Sequence, residues 1–253
     1  MPHGMMLACG PTGSGKTTTL YSLLKFTDSP DKNIITVEDP VEYQLEGINQ
    51  VTVKPDIGLT FASALRSILR QDPNIIMIGE IRDFQTVDIA IKSALTGHLV
   101  ISTLHTTTAS GAISRLINMG VEPYLINASL LCVVAQRLVR KICPHCKEEL
   151  TLKPEVLASL KLNLEKNPKP QFFRGKGCAR CFNLGYMGRI GIAEVLTLSP
   201  QIRELILKRA QEHVVRLQAR KEGMMTLRES GIEMVMRGFT TLEEVLRVTA
   251  SDE

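Results

Sequence analysis

Gly10-Pro11-Thr12-Gly13-Ser14-Gly15-Lys16-Thr17 decides the fold: it fills every fixed position of the pattern G-x-x-x-x-G-K-[ST] and stands between an apolar β-rich run, Met5 to Cys9, and a helical stretch, Lys16 to Phe26. Glycines let a backbone close tightly around phosphate groups, and the N–H groups of such a loop and of the following helix N-terminus supply positive potential. Lys16 is placed to reach the β- and γ-phosphates of a nucleoside triphosphate, and Thr17 offers its hydroxyl to Mg²⁺. An ordinary Gly-rich turn before a helix would not need the Lys-Thr pair in register with the glycines. The expected nucleotide contacts are therefore Gly10, Pro11, Thr12, Gly13, Ser14, Gly15, Lys16, Thr17 and the adjoining Thr18.

Outward from this loop, short apolar runs alternate with helical stretches up to Ser110, the pattern of a parallel sheet covered by helices. Strands are expected at Met5 to Cys9, Asn33 to Val37, Ile75 to Ile78 and Leu99 to Leu104, and helices at Lys16 to Phe26, Thr60 to Arg70 and Phe84 to Leu95. A further helix is expected from about Pro123 to Arg140, then a cysteine-bearing insert with a Pro- and Lys-bearing stretch from Lys147 to Lys176. After a strand at Ile192 to Leu196, apolar spacing predicts helices at about 200 to 221, 226 to 236 and 241 to 250, with Thr240 or Thr241 capping the last. This gives an α/β chain in three consecutive parts: an ATPase-type core over 1–140, a four-cysteine subdomain over 141–187 and a mostly helical subdomain over 188–253.

With 253 residues, 44% of them apolar, the chain can bury a substantial core, and its net charge of +4 is too mild to nominate a nucleic acid by itself. No apolar stretch approaches the roughly 20 residues that span a bilayer, and no signal core opens the sequence, so a cytoplasmic protein without a transmembrane segment is expected. Four of the six cysteines form two pairs, Cys143-Pro144-His145-Cys146 and Cys178-Ala179-Arg180-Cys181, separated by 31 residues. Each short loop can aim two thiolates at one tetrahedral ion, so a closed, structural Zn²⁺ site is expected, with redox dithiols or a nucleic-acid-binding zinc ribbon as alternatives.

Two strand runs end in acids, at Glu38-Asp39 and at Gly79-Glu80, and ligands of open α/β sheets bind beyond such carboxyl ends. Glu80 could order the attacking water or hold Mg²⁺ through water, and Glu38 could share or exchange these roles; either could also be a solvated or capping acid. His98 and His105 bracket the run Leu99 to Leu104, His105 at its carboxyl end, where it could sense the γ-phosphate.

GPTGSGKTTTLY, ITVEDPVEY, LRQDPNIIMIGEIRD and TGHLVISTLHT, in this order, resemble the Walker A, Asp box, Walker B and His box of the type II secretion and type IV pilus assembly ATPases. The resemblance includes Gly79 at a position where many P-loop enzymes carry Asp, and it continues through the cysteine pairs, GRIGIAEVL and RGFTTLEEVLRV. It implies a RecA-like fold, ATP as substrate, a homohexameric ring with ATP near subunit boundaries, and an inner-membrane platform protein as partner, contacted from the cytoplasm and faced by the zinc knuckle. It also implies arginines that complete the site, matched here by Arg66, Arg70, Arg82 and Arg189. Family members carry an N-terminal region, which makes contacts with the secretion apparatus, whereas this sequence begins nine residues before Gly10; weak turnover and poor hexamer formation are expected of the chain alone. The competing function is a RecA-like nucleic-acid motor, disfavoured by the absence of Trp and an aromatic content of 4%.

Overall fold

The computed structural model describes residues 3–151 and 171–249, so the middle of the stretch expected from Lys147 to Lys176 lies outside the described residues. The described chain forms two compact units: residues 1–136 with 194–224, and residues 137–193 with 225–253.

In the first unit, β1 (Gly4–Cys9), β2 (Ile34–Glu38), β3 (Asn49–Thr52), β4 (Ile75–Ile78) and β5 (Leu99–Leu104) lie in the order β3-β2-β4-β5-β1, and every pairing among them is parallel. β2, β4 and β5 are buried at every position, as expected of central parallel strands packed on both faces. One face is lined by Ala8, Ile34, Ile75, Met77, Leu99 and Ile101, which close on Leu20, Tyr21 and Leu24 of α1 (Lys16–Thr27). The alternate residues Ile76, Ile78 and Val100 are equally buried, and α3 (Phe84–Leu95) packs on β1 and β5.

Three helices of this unit start where side-chain oxygens satisfy backbone N–H groups. Thr60 and Ser63 form a capping box on α2 (Phe61–Ile68), Asp83 accepts from the Thr86 N–H on α3, and Thr108 accepts from the Gly111 N–H on α4 (Ala109–Asn118). The helix expected from Pro123 to Arg140 is corrected: α5 covers only Pro123–Ser129, and the chain continues as β6 (Leu130–Ile142). The run LLCVVAQRLV has apolar spacing compatible with either period, and the open edge of β1 decides, pairing Met5 with Leu130 and Cys9 with Ala135. β3 has no counterpart among the expected strands. The helix expected over 200 to 221 is two helices, α6 (Pro200–Leu207) and α7 (Glu212–Lys221), and both belong to the first unit. Residues 194–224 thus group with the core, which divides the chain differently from three consecutive parts.

The second unit contains the end of β6, the antiparallel pair β7 (Lys147–Glu149) and β8 (Phe173–Gly175), the first part of β9 (Tyr186–Thr197), and helices α8 (Leu227–Met236) and α9 (Leu242–Val248). Thr241 caps α9 by accepting from the Glu244 N–H, while the Thr240 hydroxyl donates to the Arg140 carbonyl at 2.7 Å. The Glu244 carboxylate is buried, accepting from the Arg140 N–H and from the guanidinium groups of Arg140 and Arg247 at 2.6 to 3.1 Å. Burial opposes the charge, yet these donors outweigh it and hold the carboxyl down at about 2. A carboxyl depressed in the folded state stabilises fully above its ordinary value near 4.3, and that contribution fades as pH falls from there toward about 2. Glu244→Gln is therefore expected to flatten the acid limb of the unfolding curve below about pH 4 and to lower stability at neutral pH by about 1–3 kcal/mol, measured by urea unfolding across pH.

Candidate nucleotide-binding and metal sites

At the carboxyl edge of the sheet, β1 runs through Cys9 into the glycine-rich loop. Gly10 has φ 151° and no room for a side chain: a Cβ there would stand 2.5 Å from Ser14 Oγ and 2.7 Å from the Gln136 carbonyl oxygen. Gly13 and Gly15 have φ of 77° and 90°, so the loop turns through conformations that only glycine adopts without strain. Gly15 is the N-cap of α1 and makes no side-chain cap hydrogen bond, so the positive end of the helix dipole faces the loop. Gln136 of β6 donates to the Ser14 carbonyl at 2.9 Å and braces the loop from beneath. The Lys16 ammonium rests on the carbonyls of Gly10 and Pro11 at 2.9 and 3.1 Å, folded over the cradle. Glycine cradle, uncapped helix terminus and ammonium together fit the phosphates of a nucleotide.

Register brings the acids to the same edge. Cys9 is level with Leu104 on β5, Ile78 of β4 is level with Ser102, and the hydroxyls of Ser102 and Thr103 donate to the carbonyls of Ile78 and Gly79 at 2.8 and 2.7 Å. Only β5 separates β1 from β4, which places the loop and the end of β4 about 10 Å apart. A Cβ at Gly79 would meet Glu38 Cα and the Val37 carbonyl at 3.3 Å, so glycine is what lets the ends of β2 and β4 approach closely.

The two glutamates differ in surroundings. The Glu80 side chain is 15% exposed and lies between Arg82, which pairs with one carboxylate oxygen, and His105, whose Nε2 is 3.2 Å from the other. Arg82 and His105 are both more than half exposed, so this cluster faces the edge where a nucleotide would sit. The Glu38 side chain, by contrast, is buried, and Tyr21, Thr36 and Gln50 all donate to it. Water has access to the first carboxylate and not to the second.

The candidate arginines do not converge. Arg66 ends α2 and Arg70 follows in the 3-10 turn Leu69–Gln71, which leads the chain to the start of β4; Asn33, just before β2, donates to the Gln71 carbonyl at 2.7 Å. Both stand toward the amino edge of the sheet, away from the end that carries Lys16. His98 also belongs to the amino edge, with Nδ1 2.9 Å from the Ser93 carbonyl at the end of α3. Arg189 is exposed on β9 in the second unit. Sequence reasoning missed Gln136, Tyr21, and the carboxylates of Glu194 and Glu212, which accept from Ala109 N–H and Thr108 Oγ1 at 2.9 and 2.6 Å and brace the segment after His105.

In the second unit, the sulfurs of Cys143, Cys146, Cys178 and Cys181 all lie within 4.8 Å of one another. Four thiolates at about 2.3 Å from a tetrahedral ion have sulfur–sulfur edges of about 3.8 Å, and here the pairs 143–178, 146–181 and 178–181 measure 4.0, 3.9 and 3.7 Å. The Gly177 N–H donates to Cys146 Sγ, and the N–H groups of Cys178 and Gly185 donate to Cys181 Sγ, each at 3.3 Å. Burial raises the Cys181 thiol, but these two amides and the neighbouring sulfurs more than compensate and lower it to about 6, while burial pushes Cys146 up to about 12. The donor set and its spacing could hold a tetrahedral metal ion with no open position.

A family model described as type II/IV secretion system protein matches residues 1–247. The chain is 52% identical over 248 residues to the type IV pilus assembly ATPase PilB of Thermus thermophilus, covering 98% of this chain and 28% of that protein. It is 49% identical over 251 residues to type II secretion system protein E of Aeromonas hydrophila, covering 99% and 50%. The chain thus spans half or less of the length of these relatives. A crystal structure of the pilus retraction motor PilT with bound ADP superposes with a TM-score of 0.71 at 30% identity, covering 98% of this chain and 62% of that one. The Legionella pneumophila ATPase DotB, at 21% identity and a TM-score of 0.67 over 98% of this chain and 60% of its own, shares the fold.

Proposed function

Because this chain belongs to the type II/IV secretion system protein family, we propose that it is the ATP-hydrolysing core of a motor that powers type II protein secretion or type IV pilus assembly. The observation that carries this reading is the pairing, at one sheet edge, of an uncapped glycine cradle with a water-accessible carboxylate, Glu80. The loop amides and Lys16 hold the β- and γ-phosphates, and Thr17 is the protein ligand of Mg²⁺, which supplies charge neutralisation on the phosphate oxygens. Glu80 orients the attacking water and takes its proton as the new bond to the γ-phosphorus forms and the bond to the β,γ-bridging oxygen breaks, giving ADP and phosphate. His105 and Arg82 steer the Glu80 carboxylate, and Glu38 acts from a fixed, buried place. Arg66, Arg70 and Arg189 serve contacts outside this cradle, in keeping with a homohexameric ring on an inner-membrane platform protein. No helix among the described residues is long and apolar enough to cross a membrane, which suits a motor that docks on that platform from the cytoplasmic side.

The four cysteines hold Zn²⁺, which supplies a structural crosslink and no chemistry. The direct test is phosphate release from MgATP by the full-length protein, with and without double-stranded DNA. Turnover indifferent to DNA is expected; DNA-stimulated turnover would favour a nucleic-acid motor, and absent turnover in an intact assembly would sink the reading.

A further inference from the structure

A buried polar knot in the first unit is built around the Glu38 carboxylate. Tyr21 of α1 is 1% exposed, and its hydroxyl donates to Glu38 Oε2 in a short hydrogen bond. The same hydroxyl oxygen accepts from the Glu42 N–H and from Gln50 Nε2, both at 3.3 Å. Gln50 Nε2 also donates to Glu38 Oε1 at 3.1 Å, Thr36 Oγ1 donates to that oxygen at 2.6 Å, and Gln50 Oε1 accepts from the Leu45 N–H at 2.6 Å. Both oxygens of Glu38 are therefore held by neutral donors from three separate elements, and the segment from Glu42 to Gln50 is tied to the same point.

Tyr21 lies four residues after Thr17, on the same face of α1. Long side chains in a helix lean back over the preceding turn, so the phenol, and the carboxylate it grips, lie toward the turn that carries Lys16 and Thr17. Burial, with Glu38 as an anionic neighbour, raises the Tyr21 hydroxyl above its ordinary value, so it remains a proton donor at neutral pH. The knot fixes where the Glu38 carboxylate stands relative to the nucleotide.

We propose that Tyr21 is a positioning residue of the ATPase site, acting through Glu38, with Gln50 as its counterpart from β3. The inference rests on the ATPase reading above. It predicts that the phenol matters to turnover only while Glu38 is a carboxylate, whereas a purely structural hydroxyl would matter regardless.

The test measures kcat and KM for ATP in the full-length protein as wild type, Tyr21→Phe, Glu38→Gln and the double variant, with thermal unfolding of each. Tyr21→Phe is expected to lower kcat about tenfold with KM changed less than about twofold, and to add less than about twofold in the Glu38→Gln background. Wild-type kcat in Tyr21→Phe, or an equal loss in both backgrounds, overturns the proposal. Should Tyr21→Phe fail to fold, Gln50→Leu removes a donor from outside α1 and must show the same dependence on Glu38; independence overturns the proposal equally. A wild type that turns over no ATP defeats the ATPase reading and this inference together, whereas an active wild type with an indifferent Tyr21→Phe defeats this inference alone.

Discussion

Glu80→Gln is expected to lower ATP turnover by about 10²–10⁴-fold while leaving ADP affinity within a few-fold of wild type. The amide keeps the size of the carboxylate but can neither take a proton nor carry the charge that orders water. Glu80 is an acid at the sheet edge with water access, and its two neighbours, Arg82 and His105, approach it from exposed positions. Lys16→Ala should differ in kind: losing the ammonium that lies over the loop carbonyls removes a charge from both ground and transition states, so nucleotide affinity and turnover fall together. Phosphate release and equilibrium binding of a fluorescent ADP analogue separate the two cases. A Glu80→Gln protein retaining more than about a tenth of wild-type turnover would move the base elsewhere, whatever Lys16→Ala does.

Removing the proposed zinc is expected to have the larger structural effect. Metal analysis of the purified full-length protein should give one zinc per chain, and strong chelation or Cys143→Ser should abolish hydrogen-exchange protection in residues 143–149 and 173–185. The Gly185 N–H and carbonyl are bonded to Cys181 and Cys143, and the Lys176 N–H to the Cys146 carbonyl, so this backbone is organised around the four sulfurs. Structural zinc contributes on the order of 10–16 kcal/mol of binding free energy at neutral pH, far more than one short hairpin can replace. Protection unchanged after complete zinc loss, or no zinc in the native protein, would contradict the assignment. Because the loop around Lys16 lies in the other unit, ADP binding by the chelated protein shows whether the first unit survives the treatment.

The contrast between Glu38 and Glu80 illustrates how far a sequence could be read. Both end a strand run with an acid, and nothing in their neighbours separates an acid open to water from one gripped by Tyr21, Thr36 and Gln50. Likewise Arg66 and Arg70 precede the β4 run closely in sequence, but a helix and a turn carry them to the amino edge. The segment after Ser129 shows the same limit at the level of secondary structure, where an apolar spacing that suits a helix became a strand because β1 had an unpaired edge.

The sequence by itself determined whatever consecutive residues decide. The glycines, Lys16 and Thr17 make their cradle from one short loop, each Cys-x-x-Cys pair makes half of a metal site, and unbroken apolar runs make central parallel strands. Only the tertiary structure decided which acid meets water, which arginines share an edge with the loop, and that residues 194–224 join the first unit. Those outcomes depend on strand order, register and hydrogen bonds between residues tens of positions apart. Their free energy comes from burying surfaces and pairing donors that no local stretch contains.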